Sequence, residues 1–186
     1  MLLQETKISG RKMEEILNKI KPKYECMTID VKGNMGGRAI LWNPAEITAD
    51  YWIGMKRILT VKFQLIRNRE WFLVSAVYDP HTPTKIGSFL LQLQQLGNLH
   101  EEKLWLIAGD FNMRTSKDEK KGGLKREEPQ MERFRDLQAE LKMVDVPTIN
   151  GKYTWNNRRG GSKQIASRLD RFLASEHLIG KGIFYE

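Results

Sequence analysis

Two polar residues close a short apolar segment near the middle of the chain. Asp110 and Asn112 follow the run 104–108 and Gly109. In an extended chain, residues two apart point to the same side, so we expect the carboxylate and the amide to share one face at the end of a strand. The carboxylate can orient or deprotonate a water, and the amide N–H can donate to a phosphate oxygen. The other interpretation is a Gly-Asp turn capped by Asn112.

Two further segments offer an oxygen ligand and a phenol. Glu5 follows the short apolar start of the chain and suits Mg²⁺, which takes only one or two protein carboxylates. Tyr78 ends the apolar run 71–77 and precedes Asp79 and Pro80, so it stands where a strand enters a turn. The alternatives are a solvated Glu5 and a Tyr78 that lies at the rim of the core.

A third carboxylate lies inside an apolar segment near the end of the chain. Arg168, Asp170 and Phe172 share one face of the predicted strand, and Leu169 and Arg171 share the other. A buried aspartate needs a partner to offset the loss of its hydration. The partner is either a histidine, as is usual at phosphoryl sites, or one of the two neighbouring arginines.

The chain is basic, with 31 Lys+Arg against 23 Asp+Glu and a sequence pI of about 9.6. This balance favours a polyanion as partner. Arg158, Arg159 and Lys163 lie in a Gly-containing hairpin, where we expect phosphate contacts without base reading. The alternative is a solvated turn. The mixed-charge run 117–126 is expected to be a flexible solvated insert.

The apolar periodicity predicts the elements that position these residues. Helical spacing covers 11–20, with Ser9 as cap, a second helix that opens at Thr82 and Pro83, and a third over about 130–143. Strands are predicted at 26–31, 38–42, 58–66, 71–78, 104–108 and 168–174. Two sheets packed face to face with helices outside are the economical arrangement. We therefore predict an α+β fold, a four-layer α/β/β/α sandwich of two mostly antiparallel sheets.

The composition bounds the domain count and the partners. With 186 residues and 40% hydrophobic content, we expect one domain covering 1–186. Cys26 is the only cysteine, so no intrachain disulfide or cysteine zinc site can form, and we expect no disulfide-linked partner. The sequence has no apolar run of about 18 residues and no signal peptide at its start, so no membrane association is expected.

Six segments in this order resemble the motif series of the endonuclease/exonuclease/phosphatase superfamily, also called DNase I-like. The matching segments are QETK at 4–7, GGRAILW at 36–42, VYDPH at 77–81, GDFN at 109–112, YTWNNRR at 153–159 and SRLDRFL at 167–173. The GGxAxLW, TWxNRR and SRLDRFL forms are similar to those of endonuclease domains from plant LINE-type retrotransposons.

The resemblance implies hydrolysis of a phosphodiester in DNA with Mg²⁺ or Mn²⁺ as cofactor. It implies that Glu5 binds the metal, Tyr78 contacts the phosphate and Asp110 positions the attacking water. It further implies that Asn112 orients the phosphate and that Asp170 pairs with a catalytic histidine. We expect these five residues to converge at one end of the sandwich, and a nuclear location is implied by the family alone.

The sequence departs from the family pattern at both ends. Family members begin with a strand that carries a metal-site Asn and end with Ser-Asp-His, and neither is found here. We therefore expect an incomplete sandwich with impaired hydrolysis, because losing a catalytic acid or base costs ~10²–10⁴ in rate. His177 is expected to be a surface residue. The alternative functions are a catalytically inactive remnant, a nucleic-acid-binding fragment, or a phosphoinositide or sphingolipid phosphodiesterase, which the TWxNRR and RLDRF forms disfavour.

Overall fold

The computed structural model describes residues 1–30, 36–79, 83–99, 104–149 and 151–182. Contacts within the chain divide it into two compact units. Unit 1 consists of Met1–Tyr78 and Glu102–Gly109, and unit 2 consists of Asp79–Glu101 and Asp110–Glu186. None of the described helices is long and apolar enough to cross a membrane.

Unit 1 contains two sheets and one helix, α1 (Gly10–Ile20). The first sheet is antiparallel and has β3 in its centre; its strands are β1 (Leu2–Gln4), β2 (Glu25–Ile29) and β3 (Arg38–Trp42). Unit 1 contributes four strands to a second sheet, in sequence order and with antiparallel pairing among the first three. They are β4 (Ile47–Gly54), β5 (Ile58–Leu65), β6 (Trp71–Tyr78) and β7 (Trp105–Asp110).

Strand β3 divides the core of unit 1 because its side chains alternate between two faces. Ile40 and Trp42 pack between the two sheets, against the buried residues Leu59, Val61, Phe63, Val74 and Ala76. Trp42 meets Phe63 edge-on, with ring centroids 5.2 Å apart. This apolar layer holds the two sheets face to face, as the sequence predicts.

The opposite face of β3 carries helix α1. Met13 and Leu17, one helical turn apart, pack on Ala39 and Leu41. The helix begins where the Ser9 hydroxyl accepts a hydrogen bond from the Lys12 N–H at 3.3 Å, a cap that typically contributes about 1 kcal/mol. Unit 1 is therefore layered as helix, sheet and sheet.

The described part of unit 2 contains three helices and two groups of paired strands. The helices are α2 (Pro83–Leu99), α3 (Pro129–Glu140) and α4 (Glu176–Gly180). The strands are β8 (Lys120–Lys121), β9 (Met143–Val146), β10 (Trp155–Asn156), β11 (Ala166–Ser167) and β12 (Asp170–Ser175). β12 pairs antiparallel with β9, and β11 lies between β10 and β8.

An aromatic cluster forms the centre of unit 2. Phe111 is fully buried, and its ring centroid lies 6.2 Å from that of Phe89 in α2 and 5.1 Å from that of Phe134 in α3. The Arg171 guanidinium lies over the Phe134 ring at 5.6 Å. The residue between Asp110 and Asn112 is therefore the anchor of two helices, which fixes the turn on either side of it.

The α+β fold class predicted from the sequence is confirmed, and the strands 38–42 and 71–78 are found at their predicted bounds. Strand β4 was not predicted, because most of its residues are exposed and its apolar residues do not alternate regularly. The third helix ends at Glu140 rather than near 143, because Lys142 has φ 50° and β9 begins directly after it. Val31, Pro80, His81 and Thr82 lie outside the described residues.

The expectation of a flexible insert over 117–126 is wrong for its first half. Lys117–Glu119 forms a 3-10 turn, and β8 pairs with β11. Glu119 is only 7% exposed and forms ion pairs with Arg168 and Arg171. Polarity in this run therefore has two causes. Glu119 forms ion pairs inside the protein, and other residues of the run face water.

Candidate active site

The structure brings together two of the predicted site residues in unit 1. The Tyr78 hydroxyl donates a hydrogen bond to Oε1 of Glu5 at 2.5 Å, across 73 positions of sequence. Tyr78 is the last residue of β6 and is half-buried, whereas Glu5 follows β1 and is exposed. A carboxylate that accepts one hydrogen bond keeps further lone pairs for another ligand.

Two glycines allow Glu5 to take its position. Glu5 has φ 51°, and a Cβ on Gly36 would lie 2.5 Å from the Cα of Glu5. A Cβ on Gly37 would lie 2.5 Å from the Thr6 hydroxyl, and the Thr6 N–H donates to the Gly37 carbonyl at 3.1 Å. The Gly-Gly pair is therefore needed for close approach of the Glu5 segment to the start of β3.

Asp110 and Asn112 form a closed turn in unit 2. The Asn112 backbone N–H donates to Oδ1 of Asp110 at 2.8 Å, and its side-chain Nδ2 donates to Oδ2 of Asp110 at 3.2 Å and to the Asp79 carbonyl. The Asp79 N–H in turn donates to the Asp110 carbonyl at 2.8 Å. The turn interpretation of this segment is thus observed, with both carboxylate oxygens of Asp110 held by one residue.

This arrangement occupies both hydrogens of the Asn112 amide. Donation from Nδ2 to a phosphate requires that one of these hydrogen bonds be given up. The Asn112 Oδ1 is buried, and no residue in the described part of the chain donates to it. In the structure Asn112 therefore acts first to hold Asp110, and its expected contact with phosphate stays a prediction.

Gly109 sets the approach of β7 to the end of β6. Its φ is 141°, and a Cβ there would lie 2.0 Å from the Val77 carbonyl oxygen. A side chain at this position would push β7 away from β6 and would strain the backbone. Gly109 thus allows the end of β7, which carries Asp110, to lie close to β6.

Asp170 lies at the start of β12 and is half-buried. Its backbone N–H donates to the Thr154 hydroxyl at 3.0 Å. The most deeply buried charge in this strand is instead that of Arg171, which is 1% exposed. The sequence predicted a buried acid with a basic partner in this strand, and the structure adds a buried base with acidic partners.

Arg171 is enclosed by two carboxylates. Its guanidinium donates to Glu119, at 2.9 Å to Oε1 and by a shorter contact to Oε2, and also to Oδ2 of Asp145. Arg168 donates to the other Asp145 oxygen at 2.6 Å. Burial raises the pKa of Glu119, but the hydrogen bonds and charge of Arg171 outweigh burial and hold that pKa below its ordinary value. This network joins β12, β9 and the 117–119 turn.

The basic hairpin is exposed and internally organised. Arg158, Arg159 and Lys163 are all exposed in the segment between β10 and β11. Asn157 holds this segment: its Oδ1 accepts from the Ile165 N–H at 3.0 Å, and its Nδ2 donates to the Lys163 carbonyl at 2.9 Å. The cations are thus presented on an ordered loop rather than on a free tail.

Glu5 fits the role of a metal ligand that the resemblance implies. Among the described residues, no three His, Cys, Asp or Glu side chains cluster tightly enough to hold an ion by themselves. Mg²⁺ does not require such a cluster, because it keeps several waters and takes one or two carboxylates. An exposed carboxylate with one oxygen hydrogen-bonded meets this need.

The fold is similar to that of several solved nucleases and phosphatases. The endonuclease domain of TRAS1, a telomere-specific non-LTR retrotransposon, matches with a TM-score of 0.66 and 14% identity, over 96% of this chain and 86% of that one. The human Nocturnin catalytic domain matches with a TM-score of 0.66 and 12% identity, over 95% and 68%. The Bacteroides thetaiotaomicron mannosyl-6-phosphatase matches with a TM-score of 0.60 and 13% identity, over 89% and 68%.

No protein-family model and no curated protein matches the chain. The structural similarities nevertheless show its fold, which is the DNase I-like fold found in members of the endonuclease/exonuclease/phosphatase superfamily. The resemblance carried by the six sequence motifs is therefore confirmed at the level of the fold. Similarity to plant LINE-type domains and convergence of the five site residues on one phosphate stay predictions.

Proposed function

We propose that the chain hydrolyses phosphodiester bonds of DNA with Mg²⁺, or Mn²⁺, as an endonuclease of the retrotransposon type. The observation that carries this proposal is the hydrogen bond from Tyr78 to Glu5. It joins two sequence motifs that only the superfamily resemblance connects. The retrotransposon endonuclease domain among the similar folds supports the choice of substrate. A nuclear location is proposed from the family resemblance alone.

The proposed metal ligand is Glu5, with water completing the coordination. A bound Mg²⁺ supplies charge neutralisation to the reacting phosphate and its leaving oxygen. The Tyr78 hydroxyl orients the Glu5 carboxylate and is the proposed donor to a non-bridging phosphate oxygen. Replacing its hydrogen bond to Glu5 by one to phosphate keeps the hydroxyl satisfied.

Asp110 is the proposed acceptor of the proton from the attacking water. Asn112 holds both oxygens of this carboxylate, so their direction is set before substrate binds. A preorganised carboxylate loses little freedom when it accepts the proton, which lowers the barrier. Asp170, whose backbone N–H donates to the Thr154 hydroxyl, is proposed to pair with a general acid that the described residues do not supply.

The proposed turnover is slow. His177 is the one histidine in the described part of the chain, and it is exposed in α4. If none of the described residues supplies an imidazole to the reaction, one general acid or base is lacking. Such a group usually contributes ~10²–10⁴ in rate. The residues present support water activation and phosphate binding more directly than protonation of the leaving group.

Nucleic-acid binding without hydrolysis is the second candidate function. The exposed hairpin with Arg158, Arg159 and Lys163 favours it, because phosphate contacts need no catalytic group. Only hydrolysis requires the Asp110 carboxylate.

A nicking assay on supercoiled plasmid with Mg²⁺ separates the two. We expect the unmodified chain to nick and Asp110→Ala to lose nicking while retaining DNA binding in a gel-shift assay. Asp136→Ala is the matched control, since Asp136 is an exposed carboxylate of α3 in the same unit. DNA binding with no Mg²⁺-dependent nicking in either protein would favour the binding function.

A further inference from the structure

Unit 1 contains a cleft of about 880 Å³ whose described lining includes a deeply buried arginine, Arg38. Arg38 is only 2% exposed. Its Nη2 donates to the Lys56 carbonyl at 2.8 Å, whereas Nε and Nη1 are buried with no hydrogen-bond partner among the residues that the structure describes. Burying a charge without a partner is costly, so such a group needs an explanation.

The direction of the Arg38 side chain follows from its strand. Arg38 alternates with Ile40 and Trp42, so it shares their face and points into the space between the two sheets of unit 1. It stands at the first position of β3, where this apolar layer ends and the cleft begins. Burial lowers its pKa to about 10, so the guanidinium remains charged at neutral pH.

The other lining residues add charge and an aromatic surface. Lys56 and Arg11 are exposed cations at the cleft, against the carboxylates of Glu14 and Asp30. The Asp30 Oδ1 is already bonded to the Gly10 N–H at 2.5 Å. Trp52 also lines the cleft and is 50% exposed, and aromatic rings of this kind are the platforms on which nucleic-acid bases stack.

The cleft adjoins the Glu5 segment. Gly36 belongs to its lining, and a Cβ on Gly36 would lie 2.5 Å from the Cα of Glu5. Arg38 is paired with Gln4 across β3 and β1. A strand of nucleic acid that reaches Glu5 therefore has a basic, aromatic-lined recess beside it.

We propose that this cleft binds one nucleotide, with its phosphate on Arg38 and its base on Trp52. A guanidinium presents several donors in a fixed fork that matches phosphate oxygens, and no described residue uses the Nε and Nη1 donors of Arg38. Both nitrogens are buried in the structure, so a contact with phosphate requires the Arg38 side chain to turn toward the cleft. The inference that this nucleotide is part of a nucleic-acid strand rests on the proposed function. The phosphate site itself does not, because a free nucleotide carries the same chemistry.

Thermal unfolding with added ligand tests the phosphate contact. A ligand that binds only the folded protein raises the Tm, so inorganic phosphate and dAMP are expected to raise the Tm of the unmodified chain. Arg38→Met should abolish both shifts while leaving the ligand-free Tm unchanged or raised, since an unpaired buried charge is replaced by an apolar side chain. Arg67→Met, which removes an exposed arginine in the β5–β6 turn, is the control and should keep both shifts.

The stacking contact is tested by the difference between the two ligands. We expect dAMP to bind about tenfold more tightly than inorganic phosphate, and Trp52→Leu to remove most of that difference. Equal Tm shifts in Arg38→Met and the unmodified chain would overturn the proposal.

Arg38→Lys keeps the charge without the fork, so it serves if Arg38→Met fails to fold, and it should bind phosphate more weakly than the unmodified chain. A single-stranded hexanucleotide identifies the source of the ligand. Loss of hexanucleotide and dAMP binding together in Arg38→Met assigns the cleft to a nucleic-acid strand, and loss of dAMP binding alone assigns it to free nucleotides. The Tm shifts are also measured in Asp110→Ala. If the unmodified chain shows the Arg38-dependent Tm shift but does not nick plasmid, the phosphate site is retained and the proposed hydrolysis is rejected.

Discussion

Asn112 holds both carboxylate oxygens of Asp110, one through its backbone N–H at 2.8 Å and the other through its side-chain amide at 3.2 Å. The same amide donates to the Asp79 carbonyl. Asn112 also has φ 49°, a left-handed conformation that asparagine adopts more readily than most residues. One residue therefore provides both the backbone turn and the orientation of the proposed water-activating group.

Substitution of Asn112 separates these two contributions. Asn112→Gly keeps the left-handed backbone without strain and removes the amide, whereas Asn112→Ala removes the amide and adds a strain of about 1–2 kcal/mol. We expect both variants to nick plasmid at least tenfold more slowly, and only the alanine variant to show the additional loss of stability in urea unfolding. Nicking by Asn112→Gly at the unmodified rate would show that the hydrogen bonds to Asp110 are not needed.

The hairpin should contribute to DNA affinity through charge alone. Replacing Arg158, Arg159 and Lys163 by Gln removes three exposed cations. We expect weaker DNA binding and a plot of log K against log[salt] that is flatter by about 0.9 for each phosphate that the protein no longer neutralises. The control replaces three exposed cations of unit 1, namely Lys19, Lys23 and Arg67, and should change the slope less. Equal slopes for the two triple variants would return the hairpin to a solvated turn.

Stability at acidic pH should depend on Glu119. Burial raises the pKa of Glu119, but Arg171 and the hydrogen bonds from Thr115 outweigh burial and hold that pKa below its ordinary value. The contribution of Glu119 to stability is therefore fully present above the unfolded-state pKa of about 4.3 and is lost as the pH falls through the folded-state pKa. We expect the stability difference between the unmodified chain and Glu119→Gln, measured by urea unfolding, to be constant near neutral pH and to shrink below about pH 4. A difference that grows toward acid would contradict this sign.

Arg171 should be important for the stability of this network. Arg171→Met leaves Glu119 and Asp145 facing each other without the guanidinium between them, and removing one partner of a buried ion pair typically costs about 3–5 kcal/mol. The substitution is therefore a test of the network as a whole rather than of the active site. Urea unfolding should show the loss, whereas the Tm shift that phosphate produces through Arg38 should persist.

The sequence predicted those parts of the molecule whose signal is local or motif-based. Strands β3 and β6 were placed at their observed bounds because continuous apolar, β-branched runs end at clear turn residues. The superfamily pattern placed Glu5 and Tyr78 among five residues expected to converge, and these two are hydrogen-bonded in the structure. In both cases the information lies within a few residues of the feature or in a recognised series.

Pairings across long sequence separations were beyond the same reasoning. The polar run around Glu119 shows no apolar pattern, and its burial depends on Arg171, 52 positions later. The engagement of the Asn112 amide depends on the Asp79 carbonyl, 33 positions earlier. Arg38 occupies the first variable position of GGxAxLW. Only the structure shows that no described residue accepts a hydrogen bond from its Nε or Nη1.

We propose that Glu5 and Asp110 act on the same phosphodiester. Residues that act as a unit are strongly non-additive, so the rates of Glu5→Gln, Asp110→Ala and the double variant test it most directly. We predict slow Mg²⁺-dependent nicking of supercoiled plasmid by the unmodified chain, a marked loss in each single variant, and a double variant no slower than the slower single one. Multiplicative losses in the double variant, or nicking by Asp110→Ala at the unmodified rate, would contradict the claim.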